Sequence, residues 1–340
     1  MKWMIYGANG YTGELIAREA VRRNERPVLA GRNAHRIGTL ATELGCESRV
    51  FDVDRPRLDG ISLVLHCAGP FVHTSQPMVR ACLDAGAHYL DITGEISVFE
   101  SIMKLDADAK QRGVTLLPGV GFDVVPSDCL AAMLKARVPD AVDLILAFTG
   151  GAGVSAGTQK TIIEGLREGG AIRRDGVIVR VPVLHDTRQI PFPSGSHLAM
   201  TIPWGDVSTA FHTTGIPNIR VYRATSRRAA ARLRKIRPFL PILASPPVKW
   251  ILRGRASRQA GPDAGARERG HMELWGCASN TRGGSAAMSM RTPEGYALTV
   301  LTAIESAMRV LHEPVQAGSL TPARRFGADF ITTFPGVTVS

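Results

Sequence analysis

The sequence has 340 residues, of which 44% are hydrophobic and 21% charged, which indicates a globular protein with two domains and excludes a disordered or membrane-embedded chain. Its five cysteines include no C-x-x-C pair, which argues against a zinc site or a disulfide framework and favours a reducing compartment. The net charge of +11 arises in residues 219–262, which hold twelve Lys or Arg and no Asp or Glu, so a uniformly basic nucleic-acid-binding surface is not indicated.

The first predicted elements are a strand, a glycine-rich turn and a helix. Residues 2–6 are an apolar run too short for a helix, and residues 11–23 form a helix-forming stretch. The turn follows the strand and includes the first three residues of the helix. It consists of Gly7, Ala8, Asn9, Gly10, Tyr11, Thr12 and Gly13. This order is typical of a dinucleotide-binding unit, in which glycines admit a pyrophosphate and the helix N-terminus offers N–H groups. All seven residues are therefore candidate cofactor ligands, and a tight turn without a ligand is the alternative.

Strands and helices continue to alternate as far as residue 125. Further strands are predicted at 27–30, 49–52, 62–66, 88–92 and 114–117. Helices are predicted at 34–44, along the Met78 face up to Gly86, and from a Ser97–Glu100 capping box to about Arg112. Residues 53–61 are too few for a crossover helix and predict a loop or a single turn. The pattern indicates an α/β fold with a Rossmann-type, doubly wound parallel sheet.

In such a sheet the ligand binds beyond the carboxyl ends of the strands. Arg32 and Asn33 follow the second strand, where NAD-binding units usually have Asp or Glu. An arginine there favours a 2′-phosphate, and hence NADP(H), although a solvent-facing side chain is the alternative. Asp52 follows the third strand, near the expected adenine edge. The fourth strand is followed by a tight turn at the expected nicotinamide end, formed by Ala68, Gly69, Pro70 and Phe71.

Together these motifs resemble the saccharopine dehydrogenase-like NADP-binding oxidoreductase family. The resemblance is carried by residues 7–13, 29–33, 67–71, 91–95, 118–123 and 126–128, with further landmarks at 204–206 and 292–296. It implies an NADP(H)-dependent reductase in which a Rossmann-type domain is joined to a second α+β domain. The family includes saccharopine reductases, which form a secondary amine from an aldehyde and an amino acid, and trans-acting enoyl reductases of lipid and polyketide assembly. The expected substrate is thus lipid-like or amino-acid-derived, with a C=C or C=N bond; a non-catalytic NADP-binding sensor or scaffold is the alternative.

The candidate catalytic residues are His73, Glu95 and Asp123, with His66 as a further titratable group near the nicotinamide end. Histidine is a common general acid, so His73 is a candidate proton donor, but a loop histidine bonded to the backbone is the alternative. Asp123 and Asp128 flank a proline turn, where helix capping or domain packing is the alternative role. The first domain lacks the Ser and Tyr-x-x-x-Lys pattern of short-chain dehydrogenases, so that catalytic triad is not transferred.

Residues 126–314 are predicted to form the second domain, with a mixed sheet. Its predicted strands are 143–149, 176–183, 197–202 and 219–222, and its helices are 127–136, 159–168 and 295–312. The glycine-rich run 150–158 lacks the ending of a P-loop and is interpreted as a substrate-side loop. Residues 315–340 carry Phe326, Phe330 and Phe334, too much apolar area to leave in water. With the family resemblance, they predict that this segment packs back on the first domain, residues 1–125.

The basic segment 219–262 is the candidate contact for a partner other than a small-molecule or acyl substrate. Its apolar stretches 236–244 and 248–252 are too short and proline-broken to span a bilayer, but they suit a position on its surface, with Phe239 and Trp250 at headgroup level. An acidic carrier protein suits the same features, and a solvated surface without a partner is the alternative. Nucleic acid is not expected, because no binding module is recognisable. A second copy of the chain is a further candidate partner.

No signal peptide is expected, because the first strand begins at Lys2. The cytoplasm, with contact at the membrane periphery, is the expected location.

Overall fold

The computed structural model describes residues 1–151, 153–165, 169–243, 245–256 and 261–340. The predicted helix at 159–168 therefore extends beyond the described residues at its end. The chain divides into two compact units, residues 1–122 with 296–321 and residues 123–295 with 322–340. Within the described ranges, no helix combines the length and the apolarity needed to cross a bilayer.

Strands and helices cover most of the described chain. The strands are β1 (Trp3–Tyr6), β2 (Val28–Gly31), β3 (Ser48–Val50), β4 (Leu63–His66), β5 (His88–Asp91), β6 (Thr115–Leu117), β7 (Asp143–Gly150), β8 (Gly170–Arg174), β9 (Val177–Val181), β10 (Thr187–Phe192), β11 (Gly195–Thr201), β12 (Asn218–Ala224), β13 (His271–Ser279), β14 (Ser285–Pro293), β15 (Gly318–Ser319) and β16 (Thr338–Val339). The α-helices are α1 (Tyr11–Arg22), α2 (Ala34–Leu44), α3 (Phe71–Ala85), α4 (Ile96–Met103), α5 (Asp106–Arg112), α6 (Val125–Arg137), α7 (Ala156–Gly165), α8 (Asp206–Thr214), α9 (Arg227–Ile236), α10 (Leu240–Leu243), α11 (Pro246–Ala256), α12 (Ala264–Arg269), α13 (Gly295–His312) and α14 (Pro322–Phe326).

The first unit is built on a seven-stranded sheet in the order β15-β6-β5-β4-β1-β2-β3. Each neighbouring pair is parallel. Strands β1, β2 and β4 are buried along their whole length, as expected for a parallel sheet covered on both faces. The strand order places β1 and β4 at the centre, where the winding direction reverses. The predicted Rossmann-type, doubly wound fold is confirmed.

Local signals fix most of the first unit's helices. Asn33 caps α2 by accepting a hydrogen bond from the Arg36 N–H (2.9 Å), and Gly45 ends it in the left-handed conformation. Residues 53–61 form a loop with short turns and no helix, as predicted. The predicted capping box at Ser97 is wrong, because α4 already begins after Glu95 and a separate helix, α5, follows.

Helix α13 lies mainly in the first unit, whereas the sequence placed residues up to 314 in the second domain. Thr299 accepts a hydrogen bond from the Phe122 N–H (2.9 Å), and Thr302 donates one to the Val120 carbonyl (2.8 Å). These buried hydroxyls satisfy the backbone that follows β6, which explains why the helix belongs with this sheet.

The second unit contains the mixed sheet that was predicted. Its main path is β10-β11-β12-β7-β13-β14-β16, in which β12 and β7 are parallel and the other neighbours are antiparallel. The hairpin of β8 and β9 joins at β12. The first part of the basic segment is therefore not surface: Ile219, Val221 and Tyr222 of β12 are buried in this sheet.

The C-terminal aromatic residues pack differently from the prediction. Residues 318–319 add β15 to the first sheet, but Phe326, Phe330 and Phe334 belong to the second unit. They stack on one another, with ring centroids 4.5 and 5.1 Å apart, in a segment that packs against α6. Phe330 and Phe334 are buried there, so their apolar area is removed from water within the second unit and needs no packing on the first sheet.

Candidate functional site

The glycine-rich turn between β1 and α1 is packed so closely that only glycine fits at two of its positions. Gly7 has φ +85°, and a Cβ there would lie 2.8 Å from the Ala68 nitrogen. A Cβ on Gly13 would lie 2.3 Å from the Gly7 carbonyl oxygen. The turn is thereby held against the carboxyl end of β4, with its backbone unobstructed by side chains at these points.

The rest of the turn is fixed by backbone hydrogen bonds. The N–H groups of Gly7 and Ala8 both donate to the Ala30 carbonyl, at 2.8 and 3.2 Å, which ties the turn to the end of β2. Gly10 is the N-cap of α1, and no side chain caps this helix. Because the first turn of a helix needs partners for its N–H groups, this end suits an anionic ligand. Asn9, Tyr11 and Thr12 are partly exposed around it, and the Tyr11 ring meets that of Tyr296 edge-on at 5.0 Å.

Arg32, at the end of β2, is available to a ligand. Its side chain is 76% exposed, and its nearest acid is Asp52, 3.9 Å away and 51% exposed. An ion pair this long and this exposed contributes little to stability, so a phosphate of a ligand can replace Asp52 as the partner of Arg32. Asn33 differs, because its side-chain oxygen already caps α2.

We predict that NADPH binds at least about tenfold more tightly than NADH, and that Arg32→Ala removes most of this difference, about 1.4 kcal/mol. The reason is that the guanidinium would pair with the 2′-phosphate, which only NADPH carries. Fluorescence titration of both nucleotides measures it. Arg36→Ala, an exposed arginine one turn further along α2, is the control and should leave the ratio unchanged. Equal affinities for the two nucleotides in the wild type would contradict the assignment.

The turn after β4 is held by the carboxylate of Glu95. The N–H groups of Phe71 and Val72 donate to its two oxygens, at 2.9 and 2.7 Å. The Thr74 hydroxyl donates to the Ala68 carbonyl at 2.7 Å, and the Gly69–Pro70 peptide is cis. Glu95 thus caps the start of α3, a geometry that favours positioning of the turn over proton transfer.

Three buried polar side chains, His66, Tyr89 and Asp91, form a hydrogen-bonded network beneath this edge of the sheet. Sequence reasoning missed Tyr89 and Asp91. The Nδ1 of His66 is 3.2 Å from the Tyr89 hydroxyl, which donates to Asp91 at 2.8 Å. The other oxygen of Asp91 accepts from the N–H groups of Thr93 and Gly119, at 3.0 and 2.9 Å. Because His66 and Asp91 are register partners at the ends of β4 and β5, the network joins neighbouring strand ends. The signal in the sequence was a titratable residue at the end of each strand.

Burial determines which of these three side chains are charged. Burial lowers the pKa of His66 to about 3. It raises the pKa of Asp91 to about 6, although the hydrogen bonds that Asp91 accepts from Thr93, Gly119 and Tyr89 lower that pKa. Burial also raises the pKa of Tyr89 well above its ordinary value. His66 is therefore neutral at physiological pH.

The remaining predicted catalytic residues lie in different places. His73 is exposed in the first turn of α3. Asp123 is the first residue of the second unit, where it is partly buried and its carbonyl accepts from the Trp204 indole N–H at 2.8 Å. Burial raises its pKa to about 7, although Arg223 acts in the opposite direction. Asp128 accepts from Thr213 and from the Ala323 N–H, a packing role.

The carboxyl edge of the first sheet thus brings together most of the predicted cofactor ligands. The turn 7–13 meets the ends of β2 and β4, and Arg32, Asp52 and residues 68–71 belong to the same edge. An open turn, an uncapped helix start and an exposed arginine form a donor set that fits the phosphates of NADP(H). The roles of the individual residues are proposals.

Comparison with known proteins finds a matching family model for the first sheet and similar relatives over about half of the chain. Residues 3–117 match the family model for the saccharopine dehydrogenase NADP binding domain. The chain is 27% identical over 204 residues to the saccharopine dehydrogenase-like oxidoreductase of Rattus norvegicus, covering 50% of this chain and 47% of the relative. It is 30% identical over 184 residues to the trans-acting enoyl reductase of Mycobacterium tuberculosis, covering 48% and 44%. The chain thus spans about half the length of the relatives it matches.

Among solved structures, the chain is similar to apo saccharopine dehydrogenase (L-Glu forming) from Saccharomyces cerevisiae. The TM-score is 0.65 with 10% sequence identity, and the match covers 100% of this chain and 99% of that one. At this identity the similarity establishes the two-part fold.

Proposed function

We propose that the protein is an NADPH-dependent reductase, because residues 3–117 match the family model for the saccharopine dehydrogenase NADP binding domain. The observation that carries the proposal is the carboxyl edge of the first sheet, where an open glycine turn and the exposed Arg32 occur within the matched residues. Residues 7–13 would hold the pyrophosphate, Arg32 the 2′-phosphate, and residues 68–71 the nicotinamide end. Bound NADPH supplies a hydride.

Reduction of a double bond also requires a proton, which is added to the atom that does not receive the hydride. Asp123 is the proposed source, because a carboxyl group with a pKa of about 7 can donate a proton near neutral pH. Glu95 is assigned to positioning, since both of its oxygens are engaged by backbone N–H groups. His73 remains the alternative proton donor, exposed at the start of α3.

The substrate class follows from the relatives. One is named for enoyl reduction and others for saccharopine dehydrogenase, so the proposed substrate carries a C=C bond conjugated to a thioester or a C=N bond formed from an aldehyde and an amine. In both cases the hydride would add to the electrophilic carbon, the proton would add to its neighbour, and NADP⁺ would be released. A non-catalytic NADP-binding protein is the competing function.

The test is oxidation of NADPH, followed by its absorbance, with crotonyl and longer trans-2-enoyl thioesters and with mixtures of aliphatic aldehydes and amino acids. We expect one of the two substrate classes to drive NADPH oxidation, and the other to remain at background. Asp123→Asn should lower turnover at least ~100-fold, because it removes the proton but keeps the volume. NADPH bound tightly but never oxidised with either class would contradict the reductase and favour the sensor or scaffold.

A further inference from the structure

The part of the basic segment that follows β12 carries large apolar side chains on its surface. Trp250 is 76% exposed, Ile242 63% and Phe239 57%. Ile251 of the same segment and Ile162 of α7 are about half exposed, at 49% and 51%. We name this set the apolar surface; it lies on α7, α10, α11 and the 3₁₀ turn Arg237–Phe239. Isolated exposed apolar residues are ordinary, but a concentration of them marks an interaction site.

The orientation of α11 makes the apolar surface distinctive. Lys249 points to α7, where its ammonium donates to the Glu164 carboxylate at 3.2 Å and to the Glu164 carbonyl at 3.0 Å. Trp250 and Ile251 follow it in sequence and face outward with Pro247 and Gly254. The helix therefore turns Lys249 toward α7 and leaves Trp250 and Ile251 in solvent, beside the exposed Arg255.

The cations beside this surface lack acidic partners. Arg227, Arg228, Arg232, Arg234, Lys235 and Arg237 are all exposed. In the part of the chain that the structure describes, no carboxylate pairs with any of these six side chains. The segment also contains no Asp or Glu of its own. These six charges are therefore available to an anionic partner outside the protein.

We propose that α9–α11 bind the surface of a bilayer that contains anionic lipid. Trp250, Ile251 and Phe239 would enter the headgroup region, while the arginines pair with lipid phosphates. A bilayer is preferred to an acidic protein partner, because exposed Trp250 and Phe239 beside arginines are the composition typical of a helix at a membrane surface. The inference goes beyond the reductase proposal and does not depend on it.

The test is co-sedimentation of the full chain with phosphatidylcholine vesicles, with and without phosphatidylglycerol. It is run at ~0.1 M and ~0.5 M NaCl, because the screening length falls from about 10 Å to about 4 Å between them. We expect binding to the anionic vesicles only, and at least a fivefold weaker binding at the higher salt. Absence of binding, or equal binding to both kinds of vesicle, would overturn the proposal.

Two double variants separate the apolar and the charged contributions. Trp250→Ser with Ile251→Ser should weaken binding about tenfold, and Arg234→Gln with Arg237→Gln about thirtyfold. Val177→Ser with Arg180→Gln is the matched control, an exposed apolar residue and an exposed arginine on β9, and should bind as the wild type does. Unchanged NADPH affinity verifies that each variant is folded. Retained vesicle binding in both test variants, or binding only to an acyl carrier protein or an RNA oligonucleotide, would contradict the membrane assignment.

Discussion

Replacing Gly13 with alanine is expected to weaken NADPH binding about 100-fold, or about 2.7 kcal/mol. The new Cβ would lie 2.3 Å from the Gly7 carbonyl oxygen, a separation at which backbone must move. Because Gly7 itself is in contact with Ala68, displacement of the turn also disturbs the end of β4. The first turn of α1 would then no longer present its N–H groups at the pyrophosphate position. Isothermal titration with NADPH measures the loss.

Gly38→Ala is the control for this variant. Gly38 is also helical, in α2, but a Cβ there meets nothing within 4 Å. The change should stabilise the protein by about 0.5–1 kcal/mol and leave NADPH affinity as it was. If Gly13→Ala binds NADPH as tightly as Gly38→Ala does, the glycine turn is not the phosphate site.

Removing the carboxylate of Asp91 is expected to lower the free energy of unfolding by about 3 kcal/mol. Asp91→Ala leaves the buried N–H groups of Thr93 and Gly119, and the Tyr89 hydroxyl, without their acceptor. Burial itself disfavours the charged carboxylate. Its removal nevertheless lowers the free energy of unfolding, because three buried donors are left without an acceptor. Urea unfolding at pH 7 measures the change.

Two comparisons test this explanation. Asp91→Asn retains an acceptor oxygen at the same position, so its loss should be smaller than that of the alanine variant. Asp108→Ala removes an exposed carboxylate on α5 and should change stability by less than about 0.5 kcal/mol. A loss below about 1 kcal/mol for Asp91→Ala would show that the buried network is not a structural element of this edge.

The sequence predicted those features that depend on neighbouring residues. Both ends of α2 are correct, because Asn33 and Gly45 act within one turn of the helix they bound. The glycine turn was likewise recognisable from its spacing and its place between a strand and a helix. The alternation of these elements was sufficient to predict the parallel sheet, whose order follows from the rules of doubly wound folds.

Features that depend on distant residues were missed. Glu95 was predicted as a catalytic residue, but its carboxylate accepts from N–H groups 23 and 24 residues earlier in the chain. The link from His66 through Tyr89 to Asp91 requires the register of β4 and β5, which no local pattern reveals. The strand at 219–222 was predicted, but the basic composition of 219–262 gave no sign that Ile219, Val221 and Tyr222 are buried in the second sheet. In each case tertiary pairing determined the role.

The most direct test of the reductase proposal uses NADPH deuterated at one face of nicotinamide C4. With the substrate class that is active in the absorbance assay, the account predicts a product that carries one deuterium on the carbon that accepts the hydride, and only from one of the two labelled cofactors. Mass spectrometry of the product measures it. If NADPH binds but neither labelled form transfers deuterium to an enoyl thioester or an imine, the protein is a binder of NADP(H) and not a reductase of these bonds.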